Sequence, residues 1–172
     1  ESGRGCLGMG TGHGPGDLRR AGGAHVERVT GKAESEHTTH ISVIDREGNA
    51  VTMTHTLGMP SGVITDGHGF MYNGSMGVFD PRPGRAGSIA PGKSRFSSLC
   101  PTIIFKDDQL VMVAGAPGGT QIAMGMLQAI INTIDFGMGV QEAVSAPRFS
   151  ATSNAIDICN RIPSYAVEPL QR

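Results

Sequence analysis

The feature that most constrains this chain is a change of texture at Thr38. Upstream, ten of 37 residues are glycine, and the few large apolar residues are Leu7, Met9, Leu18, Val26 and Val29. Neither a strand nor a helix period runs through them, so residues 1–37 are expected to be loop or disordered. Downstream, Ile41, Val43 and Ile44, a polar turn 45–49, and a run from Val51 to Thr56 read as a hairpin. A turn-rich stretch covers 58–69, and Phe70-Met71-Tyr72 reads as a short strand. Residues 79–95 carry Pro81, Pro83, Pro91 and several glycines and read as loop. A second hairpin is expected from Thr102-Ile103-Ile104-Phe105, a turn 106–109, and Leu110-Val111-Met112-Val113-Ala114.

Beyond Gly118-Gly119-Thr120, the residues Ile122, Met126, Ile130 and Ile134 recur every four positions, the mark of an amphipathic helix. Gly137 suits its C-cap, a short helix over 140–145 should stop before Pro147, and 155–159 reads as a strand. Hairpins followed by helices imply an α+β domain on antiparallel sheet.

Composition excludes several classes. A net charge of −1 argues against a nucleic-acid or lipid surface as main partner. Five per cent aromatics and no Trp argue against base-stacking platforms. No apolar run reaches membrane-spanning length. Cys6, Cys100 and Cys159 are widely spaced and read as neither a disulfide framework nor a zinc site. No initiator Met opens the chain and it ends abruptly at Arg172, so a fragment of a longer protein is expected.

Candidate chemistry is unevenly specific. Residues 87–94, Gly-Ser-Ile-Ala-Pro-Gly-Lys-Ser, formally match a phosphate loop. That motif needs a strand before it and a helix after it, and neither is expected here. Gly8-Met9-Gly10-Thr11-Gly12 fails for the same reason. The six histidines show no ligand spacing; His40 and His55, on the first hairpin, read as structural or surface residues, and no metal or other cofactor is expected. Asn73-Gly74-Ser75 fits a glycosylation sequon, too short a pattern to weigh. Ser97-Ser98 and Gly118-Gly119 fit turn chemistry. They also fit an oxyanion site, in which N–H groups at a helix start meet a developing negative oxygen. Thr38 is the sharpest candidate. A threonine hydroxyl needs a base within reach, and the free amine of an N-terminal Thr provides one matched to neutral pH. Cleavage before Thr38, at the change of texture, would expose it.

Thr38-Thr39-His40-Ile41-Ser42-Val43-Ile44-Asp45 with Gly48-Asn49-Ala50-Val51 resembles the start of the small subunit of the γ-glutamyltranspeptidases. The resemblance continues through Phe70-Met71-Tyr72-Asn73, Ile89-Ala90-Pro91-Gly92-Lys93 and Ser97-Ser98-Leu99-Cys100-Pro101-Thr102. It extends through Gly115-Ala116-Pro117-Gly118-Gly119-Thr120-Gln121-Ile122 and Asp135-Phe136-Gly137 to Ala146-Pro147-Arg148. It implies an N-terminal-nucleophile hydrolase, an αββα sandwich with antiparallel sheets, made by self-cleavage of a precursor into large and small subunits. By the resemblance, Thr38 is the nucleophile, His37–Thr38 the scissile bond and Thr56 the residue that orients the nucleophile. Ser97 and Ser98 match the pair that contacts the substrate carboxylate, and Gly118 and Gly119 match the oxyanion hole. Residues 1–37 would be the tail of the large subunit and 38–172 the small-subunit catalytic region, truncated at its C-terminus. The large subunit, the implied partner, would supply an arginine for the substrate carboxylate.

Three positions depart from the family pattern. Gly58 stands where the γ-glutamyl enzymes have Asn. Ser75 replaces a carboxamide or carboxylate, and Val78 replaces an aspartate. Those family groups hold the substrate's α-ammonium, and losing a buried charge partner typically costs a few kcal/mol of recognition. The expected function is that of a γ-glutamyltransferase or glutathione hydrolase acting on a small amide or peptide. The alternatives are an amidase for a glutaryl-type acyl group lacking the ammonium, and a non-catalytic ligand-binding relative.

Overall fold

In the computed structural model, residues 25–29, 37–151 and 155–171 are described. The chain divides into two compact units, Ser35–Gly119 and Glu1–Glu34 with Thr120–Arg172.

The first unit is made of hairpins. Strands β2 (Thr38–Ile44) and β3 (Ala50–Thr56) pair antiparallel, from Thr38 opposite Thr56 to Ile44 opposite Ala50. Their turn is tied by Asp45, whose carboxylate accepts Asn49 N–H at 2.8 Å and Asn49 Nδ2 at 2.7 Å. That contact, the side-chain one foremost, holds the Asp45 carboxyl below its ordinary range. Strand side chains alternate between faces. Here the face bearing Thr38, His40, Thr52, Thr54 and Thr56 is the half-buried one. The opposite face leaves Ile41, Val43, Val51 and Met53 about half exposed.

Strand β4 (Pro60–Ile64) pairs irregularly with β5 (Met71–Asn73). The stretch 58–69, read as turn-rich, thus also holds a strand. Val63 and Ile64 contribute β-prone residues that the flanking glycines mask. Strands β6 (Thr102–Lys106) and β7 (Gln109–Ala114) form the second hairpin as expected. Asp107 and Asp108 both take positive φ, 50° and 59°, as a tight two-residue hairpin turn requires.

The second unit centres on β9 (Ala155–Cys159), with β1 (His25–Val29) on one side and β8 (Phe149–Ser150) on the other. The β1–β9 pairing is parallel, which corrects two expectations: that 1–37 is all loop, and that the sheets are purely antiparallel. A five-residue strand with only Val26 and Val29 as large apolar residues shows no period of its own; pairing with a distant segment makes it a strand.

Helix α1 (Ile122–Ile134) begins after a 3-10 turn at Gly119–Gln121, and α2 (Val140–Ser145) ends before Pro147 as expected. Among the described residues, the buried apolar ones are Ile122, Met126, Ala143, Ile158, Cys159 and Val167, the last on α3 (Ser164–Val167). The apolar stripe of α1 is only partly used, since Ile134 is 47% exposed. Gln128 closes the β8 edge: its Nε2 donates to Phe149 O at 2.8 Å and its Oε1 accepts Phe149 N–H at 3.1 Å. Cys159 is disulfide-bonded, with its partner outside the described residues, whereas the wide cysteine spacing reads as no disulfide framework. Cys100 is a free, half-buried thiol whose pKa burial raises.

Candidate active site

The antiparallel register sets Thr38 directly opposite Thr56. Such partners lie close enough for their side chains to meet, and Thr38 Oγ1 stands 2.8 Å from Thr56 Oγ1. Hydrogen-bond accounting locates the protons. A threonine hydroxyl has one proton and two lone pairs. Thr56 donates to His37 O at 2.9 Å and accepts Gly58 N–H at 2.9 Å. Its remaining lone pair accepts the Thr38 hydroxyl, so Thr38 is the donor of the pair. The His37 carbonyl also accepts Leu57 N–H at 3.0 Å. Two donors therefore polarise the carbonyl of the peptide bond that precedes Thr38.

A second cluster forms around the segment after β7. Gly118 and Gly119 have φ of 142° and 59°, which residues with a Cβ rarely adopt. The Ser98 hydroxyl donates to Gly119 O, so its single proton is committed to that carbonyl. Ser97 is exposed and its Oγ accepts Leu99 N–H at 3.3 Å. Ser97 thus keeps its own proton for another acceptor, whereas Ser98 would have to release Gly119 to donate elsewhere.

Gly58 and Ser75, two positions that depart from the family pattern, touch each other. Gly58 has φ 67°, and a Cβ on it would lie 2.7 Å from Ser75 Oγ and 3.3 Å from Ser75 Cα. Ser75 is buried, while Val78 is 49% exposed. Residues 87–94 are not a phosphate loop. Ser88 Oγ is engaged with Arg82 O and Arg85 N–H, and Lys93 Nζ donates to Arg85 O and Ala86 O. No helix follows them.

The Gamma-glutamyltranspeptidase family pattern matches residues 17–172. This chain belongs to that family. Among γ-glutamyltranspeptidase relatives, it is 42% identical over 139 residues to the acylase ACY 1 proenzyme of Pseudomonas sp. strain V22. That match covers 80% of this chain and 25% of the relative. It is 40% identical over 128 residues to the glutathione hydrolase proenzyme of Escherichia coli K12, covering 67% of this chain and 22% of the relative. The chain thus spans about a quarter of the length of these curated relatives. Among solved structures, it resembles γ-glutamyltranspeptidase from Pseudomonas nitroreducens complexed with L-DON, at TM-score 0.67 and 32% identity. That match covers 77% of this chain and 78% of the other. A Helicobacter pylori γ-glutamyltranspeptidase mutant matches at TM-score 0.60 and 42% identity, over 65% of this chain and 67% of that one.

The fold of this γ-glutamyltranspeptidase-family chain brings His37, Thr38, Thr56 and Gly58 into one hydrogen-bonded group, and Ser98 and Gly119 into another. No hydrogen bond among the described residues joins the two groups directly. His40 lies on the Thr38 face, and sequence reading set it aside as structural or surface. Its ring bonds Thr54, Ser42 and Thr52. The signal that could have singled it out is its spacing, two residues after Thr38 in a strand, which places both on one face.

Proposed function

We propose that, in the whole protein, Thr38 is the nucleophile of an amide acyl hydrolase or transferase of the γ-glutamyl type. The observation that carries this is the Thr38–Thr56 contact of 2.8 Å, beside the bonds Thr56 makes to His37 O and Gly58 N–H. Cleavage of the His37–Thr38 bond frees the Thr38 amine to act as base. The hydroxyl oxygen then attacks the substrate amide carbon, and the hydroxyl proton passes to the amine. Gly118 and Gly119 N–H groups receive the negative oxygen. The C–N bond breaks, the leaving amine takes the proton, and the acyl group stays on Thr38 as an ester. Water or an acceptor amine then takes it. Ser97 and Ser98 hold the substrate carboxylate together with an arginine of the large subunit, the partner made from the same precursor. An αββα sandwich completed by that subunit is the architecture this reading requires. No cofactor enters it.

Mass spectrometry of the full-length protein tests the reading. The wild type is expected to yield a fragment beginning at Thr38, and the Thr38→Ala precursor to stay intact. A wild type that remains whole, or a variant still cut at that bond, overturns it.

A second reading concerns the acyl group. An α-ammonium placed where Gly58, Ser75 and Val78 offer no charged acceptor keeps its desolvation cost and gains little. A relative named as an acylase is also as similar to this chain as the glutathione hydrolases are. This favours an acyl group without the ammonium. A glutaryl anilide is then expected to exceed the matching γ-glutamyl anilide in kcat/KM by roughly tenfold, equivalent to about 1.4 kcal/mol. A clear γ-glutamyl preference defeats this second reading and leaves the first standing.

A further inference from the structure

We infer that His40 is a positioning residue, whose ring sets how closely the segment 115–119 approaches the strand that carries Thr38. This rests on the assignment of Thr38 as nucleophile and goes beyond it.

The ring is held from both sides. Nδ1 lies 2.9 Å from Thr54 Oγ1, and Nε2 lies 2.8 Å from Ser42 Oγ and 3.3 Å from Thr52 Oγ1. Thr52 has already committed its proton to Ala114 O, at 3.2 Å. Its oxygen can therefore only accept from the ring, which places a hydrogen on Nε2. Nδ1, on the other side of the ring, pairs with the Thr54 hydroxyl. The Thr52 hydroxyl thus links His40 to the last carbonyl of β7.

Gly115 follows immediately, and it is pressed against the same ring. A Cβ on Gly115 would overlap the imidazole, with Cε1, Nδ1 and Nε2 as its three nearest atoms. Gly115 does not have the positive φ that would otherwise demand glycine. Close approach alone requires glycine there. From Gly115 the chain runs through Ala116 and Pro117 to Gly118 and Gly119. Ser98 pins the far end at Gly119 O. The segment that carries the oxyanion glycines is therefore fixed at one end by His40 and at the other by Ser98. Oxyanion donors act within a few tenths of an ångström of their best distance, and a displacement near 1 Å can cost about a hundredfold in rate.

The test uses the full-length, self-processed protein and both anilides. Gly115→Ala is expected to lower kcat by roughly ten- to a hundredfold with KM within about twofold. Adding His40→Ser to Gly115→Ala opens room for the new methyl group and is expected to recover much of that loss. Thr52→Val, close in shape and without the hydroxyl link, is expected to lower kcat with KM unchanged and serves if Gly115→Ala does not fold. Wild-type kcat in Gly115→Ala or, where that variant does not fold, in Thr52→Val overturns the inference. So does a double variant no faster than Gly115→Ala. Thr38→Ala is measured beside them. If it retains activity, the nucleophile assignment itself fails. If it is inactive while Gly115→Ala is unaffected, only the role of His40 fails.

Discussion

Thr56 spends all three of its hydrogen-bonding capacities, on His37 O, Gly58 N–H and the Thr38 hydroxyl. Its removal therefore does more than delete one contact. Thr56→Ala is expected to slow turnover roughly ten- to a hundredfold, the scale of a strong hydrogen bond. It also leaves Gly58 N–H and His37 O without that partner, costing about 1–3 kcal/mol of stability. Thr56→Ser restores the hydroxyl and should recover most of both. Steady-state kinetics and urea unfolding on the three proteins check this, and full activity in Thr56→Ala would show that the hydroxyl does not orient Thr38. The Gly58–Ser75 contact sets a second expectation at this scale. Gly58→Asn places a Cβ against Ser75 Oγ at a backbone angle that disfavours side chains, although Asn tolerates it best after glycine. A destabilisation of about 1–3 kcal/mol is expected from the crowding. Ser75→Gly in the same chain should relieve part of it. Additive effects in a urea-unfolding cycle would show that the two positions are independent. Any attempt to restore an ammonium site must therefore change 58 and 75 together.

At the scale of elements, the local signals are strong where the chain contacts itself nearby. The 38–56 and 102–114 hairpins, α2 and β9 follow from short β-prone runs, turns and a proline stop. The β6–β7 turn still carries a local conflict. Asp107 and Asp108 both sit at positive φ, where aspartate is tolerated and glycine preferred. Asp108→Gly is expected to stabilise the hairpin by about 0.5–1 kcal/mol, read from denaturant midpoints at constant slope. A lower midpoint would mean the Asp108 side chain contributes more than its backbone strain. Among the elements that the sequence does not announce, β1 and β4 have a common reason. Neither has enough alternating residues to announce itself, and each becomes a strand through the partner it meets.

At the scale of the whole chain, apolar surface is the dominant fact. Ile41 and Met53 face each other across β2 and β3 and are 47% and 50% exposed, with Val43 and Val51 beside them. Exposed apolar patches of this kind mark surfaces that another part of a protein covers. The 172-residue chain alone is therefore expected to enhance the fluorescence of a hydrophobic dye and to self-associate. Ile41→Lys with Met53→Glu, which sets opposite charges across the strands, should reduce both while keeping the strand content seen by circular dichroism. Unchanged dye binding would locate the sticky surface elsewhere.

What the sequence by itself determined is local or motif-borne: the hairpins, the start of β2 at Thr38 and the family, from whose motifs the proposed set Thr38, Thr56, Ser97, Ser98, Gly118 and Gly119 is drawn. Short-range periodicity and turn chemistry are written in consecutive residues, and motifs survive as strings. Tertiary structure alone decided the rest. Antiparallel register brought Thr56, 18 residues away in the chain, to within hydrogen-bond reach of Thr38. Folding of β7 against the first hairpin made Gly115 a glycine of close approach rather than of backbone angle. The contact between Gly58 and Ser75 likewise exists only in space, because hydrogen-bond directions and van der Waals contacts depend on distances that a linear string does not contain.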